Sequence, residues 1–167
     1  MNNIFEKVFK LMEISFPKEE YREYESQKRL LNNPRYEIST KINENGDLIA
    51  FIAFWKFKDF NFIEHFAVNP NTRGQGIGSK MINEFIKNQD KSIILEVEIP
   101  TDEISKKRIH FYEKNGFFLN EYEYFQKPLR KNSMPQKLYL MSYPKVLGNK
   151  DFEKVKEIIY QNVYSEI

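Results

Sequence analysis

The stretch Arg73-Gly74-Gln75-Gly76-Ile77-Gly78-Ser79 joins an apolar, strand-like run to a helical pattern. The run before it, residues 62–68, is rich in the aromatic and β-branched residues that favour strands. The apolar residues after it have the spacing of one helix face: Met81, Ile82, Phe85 and Ile86. Glycines let a backbone approach a ligand closely, and the free N–H groups of a helix's first turn attract anions. The stretch therefore predicts a strand, turn and helix that can hold a diphosphate.

The order of residues in this turn argues against two common nucleotide motifs. A P-loop has Lys followed by Ser or Thr directly after its last glycine, whereas Gly78 is followed by Ser79 and then Lys80. A dinucleotide fingerprint needs three glycines at other offsets than those of Gly74, Gly76 and Gly78. An ATP-binding protein stays open as an alternative, which a thermal-shift measurement with ATP would check.

Two segments together resemble motifs A and B of the GNAT family of N-acetyltransferases. Motif A is Gln or Arg, two residues, Gly, one residue, and Gly or Ala, and Arg73, Gly76 and Gly78 match it. Motif B is a helix that carries a Tyr and ends in Gly-Phe, which residues 108–117 resemble closely. With the buried strand between them, the two motifs follow the family's order over roughly residues 49–118.

The remaining patterns predict a mixed α/β fold. Helices are expected from Ile4, over residues 17–31, after the glycine turn, through motif B, and over about 151–164 with Asp151 as its cap. Strands are expected at residues 36–42, 48–57, 62–68, 92–99, 117–125 and 136–143. The first three form an antiparallel meander, and the next pairs in parallel through a right-handed crossover. The last helix is expected to pack on the sheet.

The resemblance adds detail to this fold. It implies a single GNAT domain over residues 1–167, with a mixed, mostly antiparallel sheet flanked by helices. Its central parallel strands would be splayed to admit acetyl-CoA, commonly with the help of a β-bulge.

Composition limits the other functions that this chain could have. Its net charge of +2 is too small to argue for nucleic-acid binding, and it has no cysteine to serve as a nucleophile or metal ligand. It shows no secretory signal and no apolar stretch of membrane-spanning length. We therefore expect a cytoplasmic protein, monomeric or homodimeric, with no metal and with neither nucleic acid nor membrane as a partner.

The family resemblance also implies a co-substrate and the residues that bind it. Acetyl-CoA would donate its acetyl group directly to an amine. Its diphosphate would lie on the glycine turn, and its pantetheine arm would pair with the preceding strand. Ser105 stands where the family often has an Asn that contacts this arm. The expected binding residues are Phe66, Ala67, Val68, Arg73, Gly74, Gln75, Gly76, Ile77, Gly78, Ser79, Ser105 and Tyr112.

Tyr112 matches the family's usual general acid, whose phenol protonates the departing thiolate. The base that deprotonates the amine is less defined. Glu64 and Glu96 are equal candidates, directly or through a water, and His65 is a third. Strand alternation would put Glu64 on the face of Phe66, with His65 facing the other way. A carboxylate buried on an apolar strand has its pKa raised toward the range that a base needs.

The acceptor is expected to be a small-molecule or peptide amine. Glu64, Glu96 and Glu98 could form an acidic cleft that attracts a cationic amine. Other residues could extend this site: Glu121 and Glu123 at its rim, and Trp55, Phe57, Tyr122, Tyr124 and Phe125 along its wall. Each of them also fits an ordinary role as a strand or core residue. A non-catalytic acyl-CoA-binding sensor or partner module of the same fold is the alternative.

Overall fold

A six-stranded sheet with helices on both faces organises residues 3–72 and 74–165, which the computed structural model describes. Its elements are α1 (Asn3–Ser15), α2 (Tyr24–Arg29), β1 (Tyr36–Ile42), β2 (Leu48–Lys56), β3 (Phe60–Val68), α3 (Ile77–Lys87), β4 (Ser92–Glu98), α4 (Glu103–Lys114), β5 (Phe118–Gln126), β6 (Gln136–Tyr143) and α5 (Asn149–Asn162). The strand order is β1-β2-β3-β4-β6-β5. The antiparallel meander and the parallel β3–β4 pair are confirmed.

Two apolar layers, one on each face of the sheet, hold the helices in place. On one face, α1, α2 and α5 cover a core that includes Trp55 and Phe62. On the other face, α3 and α4 cover a second core that includes Phe54, Phe85 and Ile109. Because strand side chains alternate between faces, the same strands supply both layers.

The helix expected over residues 17–31 is interrupted in the structure. A short 3₁₀ turn occupies Lys18–Glu20, and the chain is then extended at Tyr21, with φ −141° and ψ 157°. Tyr21 and Arg22 are both buried at this break. The extended backbone lets the Arg22 side chain reach β3, a tertiary contact that overrides the local helical pattern.

The C-terminal helix packs on the face of the sheet that α1 covers. Its residues Phe152, Val155 and Ile159 are buried there, as the apolar spacing predicted. The expected cap is wrong by three residues, because Gly148 is the N-cap and Asp151 lies in the first turn. An acidic residue in that turn still interacts favourably with the positive end of the helix dipole.

The parallel strands β3 and β4 separate partway along their length. Their pairing ends at Ile63 and Leu95, although β3 continues to Val68 and β4 to Glu98. The register of β2 with β3 also shifts, since Ala53 faces His65 and Phe54 faces Ile63. Glu64 is therefore the extra residue of a β-bulge. The splay expected from the resemblance is confirmed.

Candidate active site

A cavity of about 700 Å³ lies where β3 and β4 diverge. Both faces of the sheet contribute to its wall. Phe16 and Glu20 contribute from the side of α1, and Phe111 and Tyr112 contribute from α4 on the other side. A ligand in this space can therefore contact groups from both layers at the same time.

The glycine turn forms one end of the cavity. Gly74 and Gly76 have φ of 84° and 70°, a region that disfavours side chains with a Cβ. Gly76 is the N-cap of α3 and has no side chain with which to cap the helix. Amides of the first helical turn are thus left for a ligand, and the positive end of the helix dipole adds to their attraction for an anion.

The unpaired part of β3 forms one side of the cavity. Beyond Ile63 the strand pairs with β2 but no longer with β4, so its peptide groups on the β4 side face the gap. An extended ligand can pair with such a free strand edge. The gap and the uncapped helix start therefore fit the arm and diphosphate of acetyl-CoA.

Most residues expected to contact acetyl-CoA do line the cavity. They are Phe66, Ala67, Val68, Gly74, Gly76, Ile77, Gly78, Ser79 and Tyr112. Gln75 is exposed and not on the wall, and Arg73 lies outside the described residues. Ser79 does not cap α3, and its hydroxyl lies 3.4 Å from the Asn115 side-chain nitrogen.

Ser105 does not reach the cavity. It is 1% exposed, and its hydroxyl forms a capping box with Asp102 at the start of α4. The Asp102 carboxylate in turn accepts from the Ser105 amide at 2.7 Å. The spacing of Asp102 and Ser105 resembles the common capping box, so the sequence did carry this signal. The expected contact with the pantetheine arm is corrected to a helix-capping role.

Tyr112 lies on α4 with its ring against Phe111 and Phe117, at centroid distances of 5.2 and 5.5 Å. It lines the cavity. Burial raises the pKa of its phenol well above the ordinary value of 10. The phenol therefore stays protonated at neutral pH and is able to donate a proton or hydrogen bond into the cavity.

Glu96 projects from β4 into the same cavity. The Tyr124 hydroxyl donates to its Oε2 at 2.5 Å, and the Tyr164 hydroxyl lies 2.8 and 2.7 Å from Oε1 and Oε2. Burial raises the pKa of Glu96 to about 7, although the two phenols favour the charged form and oppose this rise. Near neutral pH this carboxyl can therefore take up and release a proton.

Glu64 is held in a buried ion pair. Its Oε2 lies 2.7 Å from an Arg22 nitrogen, and its Oε1 accepts from the Trp55 indole at 2.8 Å. The Arg22 and Glu64 side chains are 0% and 1% exposed. Burial pushes the pKa of Glu64 upward, but the Arg22 cation and the hydrogen bonds from Trp55 and Arg22 outweigh it, so the pKa is lowered. Glu64 is thus a charged carboxylate with one donor on each oxygen.

The expected faces of β3 are wrong after Glu64. The bulge at Glu64 turns His65 to the same side as Glu64, where its ring packs against Phe16 at 5.0 Å. Phe66 lies on the opposite side, against Phe111. Burial lowers the pKa of His65, which favours the neutral imidazole, and its Nε2 lies 2.7 Å from the Glu20 carbonyl oxygen. A neutral ring donates from Nε2 to that carbonyl.

Glu20 is a cavity residue that the sequence analysis missed. Burial and the nearby Glu98 raise its pKa to about 7, while Arg108 opposes this rise. Arg108 and Glu98 form an ion pair at 3.1 Å on the cavity wall. Glu20 follows two charged residues in a segment with a helical pattern, so nothing in the sequence distinguished it from a solvated side chain.

The cavity is lined by four glutamates, and the Arg22 cation offsets the charge of one of them, Glu64. The others are Glu20, Glu96 and Glu98. Glu121 and Glu123, expected at its rim, are exposed on the edge strand β5 and do not line it. The expected aromatic wall is also corrected, because Trp55, Phe57, Tyr122, Tyr124 and Phe125 are all off the cavity. Of these rings, three are buried in the core that α1 and α5 cover, Tyr122 packs against that core, and Phe125 is exposed.

Two further properties concern the described residues. Among residues 3–72 and 74–165, no group of three or more His, Asp or Glu side chains is placed to hold a metal ion. Over the same ranges, the helices lack the length and apolar character needed to cross a membrane.

Comparison with known proteins identifies the family. A solved Bacteroides thetaiotaomicron structure, named as a GNAT-family acetyltransferase, is 32% identical with a TM-score of 0.90, covering 97% of this chain and 92% of that chain. YjbC of Bacillus subtilis (strain 168), named as an acetyltransferase, is 30% identical over 118 residues, which are 68% of this chain but only 60% of YjbC.

A mutant of the spermidine N-acetyltransferase SpeG from Vibrio cholerae shares the fold. It is 17% identical with a TM-score of 0.54, and the match covers 71% of this chain and 70% of that chain. Residues 2–117 match the model described as the acetyltransferase (GNAT) family. This chain therefore belongs to the GNAT family of acetyltransferases.

Proposed function

We propose that this protein transfers the acetyl group of acetyl-CoA to a primary amine, without a covalent intermediate on the enzyme. The observation that carries the proposal is the meeting of Glu96 from β4 and Tyr112 from α4 in one cavity, beside the free edge of β3. A base near neutral pH and a protonated phenol are the two groups that this reaction needs.

The donor would lie along β3. The pantetheine arm would hydrogen-bond to the free peptide groups of residues 66–68, and the diphosphate would accept from amides at the start of α3. This arrangement brings the thioester to the splay, between Glu96 and Tyr112. Gln75 and Ser105 do not line the cavity, so we leave them out of the proposed contacts with acetyl-CoA.

The proposed chemistry balances as follows. Glu96 takes one proton from the acceptor ammonium, and the neutral nitrogen attacks the thioester carbonyl carbon. The carbon–sulfur bond breaks, and Tyr112 gives its proton to the departing thiolate. The second proton of the nitrogen restores the phenol through solvent. The products are the amide, the CoA thiol and the proton held by Glu96, which passes to water.

Glu96 is a better base than the other candidates. Glu64 already accepts from Arg22 and Trp55 and has a lowered pKa, so it would give up a buried ion pair to take a proton. His65 donates from Nε2 to the Glu20 carbonyl, and burial lowers its pKa, which disfavours protonation of the remaining ring nitrogen, the buried Nδ1. We therefore propose that Glu64 supports the fold of the site and that Glu96 acts on the amine.

The acceptor would be a cationic amine. Glu20, Glu96 and Glu98 give the cavity an acidic wall, which attracts an ammonium group. The Arg108–Glu98 pair offsets part of that charge. Spermidine is a reasonable first acceptor to test because it carries several ammonium groups.

The test is thiol release from acetyl-CoA with spermidine, lysine, an aminoglycoside and a peptide with a free amino terminus. Mass spectrometry of the acceptor should find one added acetyl group. Tyr112→Phe and Glu96→Gln should each bind acetyl-CoA like the wild type but release thiol at least about 100-fold more slowly. Stabilisation by acetyl-CoA without thiol release for every amine would favour a sensor and overturn the proposal. Stabilisation by ATP but not by acetyl-CoA would also overturn the proposal.

A further inference from the structure

Two phenols from the C-terminal part of the chain hold the Glu96 carboxylate. Tyr124 is on β5, and Tyr164 follows the end of α5. They are 1% and 4% exposed, and neither lines the cavity. Both therefore contact Glu96 from behind, and only the carboxylate between them faces the acceptor.

The hydrogen positions leave one oxygen of Glu96 more accessible than the other. Burial and the adjacent Glu96 raise the pKa of both phenols well above 10, so each keeps its single hydrogen and donates it. Tyr124 donates to Oε2, and the hydrogen of Tyr164 is shared between Oε2 and Oε1. A carboxylate has about four acceptor sites, so Oε1 keeps the larger free capacity.

Tyr164 is itself anchored to the site. The neighbouring Val163 is buried, and its carbonyl oxygen accepts from Arg22 at 2.8 Å. The same guanidinium pairs with Glu64 on the bulge of β3. Arg22 thus ties the end of the C-terminal helix to the strand that borders the cavity.

We infer that Tyr164, together with Tyr124, is a positioning residue that orients Glu96 with Oε1 toward the acceptor amine. The inference rests on the proposed function, in which Glu96 is the base. It gives the segment after α5 a part in the reaction, although Tyr124 and Tyr164 lie outside the residues 2–117 that match the family model. Each phenol also favours the charged carboxylate, which opposes the effect of burial.

The test is Tyr164→Phe, which removes one oxygen and keeps the ring. Without that hydrogen bond, the lower apparent pKa of the kcat/KM profile should rise by about one pH unit. At pH 6, kcat/KM should then fall about tenfold, whereas the acetyl-CoA dissociation constant should change less than about twofold. The matched control is Tyr160→Phe on α5, whose hydroxyl donates to the Phe125 carbonyl at 2.6 Å, and its profile should match the wild type.

A second measurement does not depend on the acceptor. Carbon-13 NMR of side-chain-labelled glutamate can follow the Glu96 carboxyl, with Glu96→Gln identifying its signal. The Tyr164→Phe protein should titrate at higher pH than the wild type. If Tyr164→Phe does not fold, Tyr124→Phe must give the same shift.

The outcomes separate this inference from the proposed function. An unchanged kcat/KM profile and an unchanged NMR titration in a folded Tyr164→Phe protein overturn the inference alone. Absence of transfer by the wild type to every amine overturns the proposed function, and with it the catalytic part of the inference. In that case a shifted NMR titration would still show that Tyr164 acts on Glu96, and an unshifted titration would show that it does not.

Discussion

Replacing Glu96 by Gln should stabilise the protein at neutral and alkaline pH while removing transfer. The pKa of Glu96 is raised in the folded protein from 4.5 to about 7. Folding therefore favours the protonated carboxyl, and stability contributed by this group is lost as pH rises from about 4.5 through about 7. Gln resembles the protonated form in shape and does not ionise, so the variant avoids this loss.

The expected size of the effect follows from the pKa difference. A difference of about 2.5 corresponds to about 3 kcal/mol, because each pKa unit is about 1.4 kcal/mol. Relative to its value at pH 4, the free energy of unfolding of the variant should exceed that of the wild type by about 2 kcal/mol at pH 6 and about 3 kcal/mol at pH 8. Glu20 remains in both proteins, so the comparison isolates Glu96.

Urea unfolding of both proteins at pH 4, 6, 7 and 8, with thiol release measured on the same samples, checks this expectation. The exposed Glu121→Gln change on β5 is the matched control and should stay within about 0.5 kcal/mol throughout. A gap between Glu96→Gln and the wild type that does not change with pH would refute the reasoning. So would full transfer activity in the variant.

Three further changes test other parts of the site. Tyr112→Phe should lower kcat about 100-fold or more, with the acetyl-CoA dissociation constant from calorimetry unchanged, and an unaffected kcat would remove Tyr112 from the mechanism. Arg22→Met leaves the buried Glu64 charge without its cation and should lower the free energy of unfolding in urea by about 3–5 kcal/mol. The double variant with Glu64→Gln should recover part of this loss, and additive effects of the two changes would contradict the reasoning. Gly76→Ala places a Cβ on a residue with φ 70° and should lower the free energy of unfolding by about 1 kcal/mol relative to Gly78→Ala. The Cβ of Gly78→Ala would meet Phe111 at an ordinary 3.4 Å, and equal stabilities of the two variants would contradict the turn geometry.

The sequence predicted the parts of the fold that depend on local patterns. The parallel pair followed from the strand before the glycine turn, the turn with its helix, and the strand after that helix, whereas the splay was expected only from the family resemblance. Gly116 ends α4 with φ 91°, as expected for a glycine after a helix. These features are set by residues close together in the chain, so they are visible in it.

The bulge at Glu64 could not be predicted in this way. It lies in a strand that has neither the glycine nor the proline that often marks an irregularity, so simple alternation assigned His65 to the wrong face. The partners of the two glutamates were hidden for another reason. Arg22 lies 42 residues from Glu64, and Tyr164 lies 68 residues from Glu96. Arg22 stands in a charged run that resembles a solvated surface.

The bulge makes the length of β3 as important as its composition. Deleting the extra residue at Glu64 would leave every later residue of the strand on its present face, whereas inserting one residue after His65 would exchange the faces of all later residues. Phe66 and Val68 would then turn away from α4, and Ala67 would turn toward it. Point replacements along this strand should therefore be tolerated far better than single-residue insertions after His65, and a scan of such insertions would find β3 unusually intolerant.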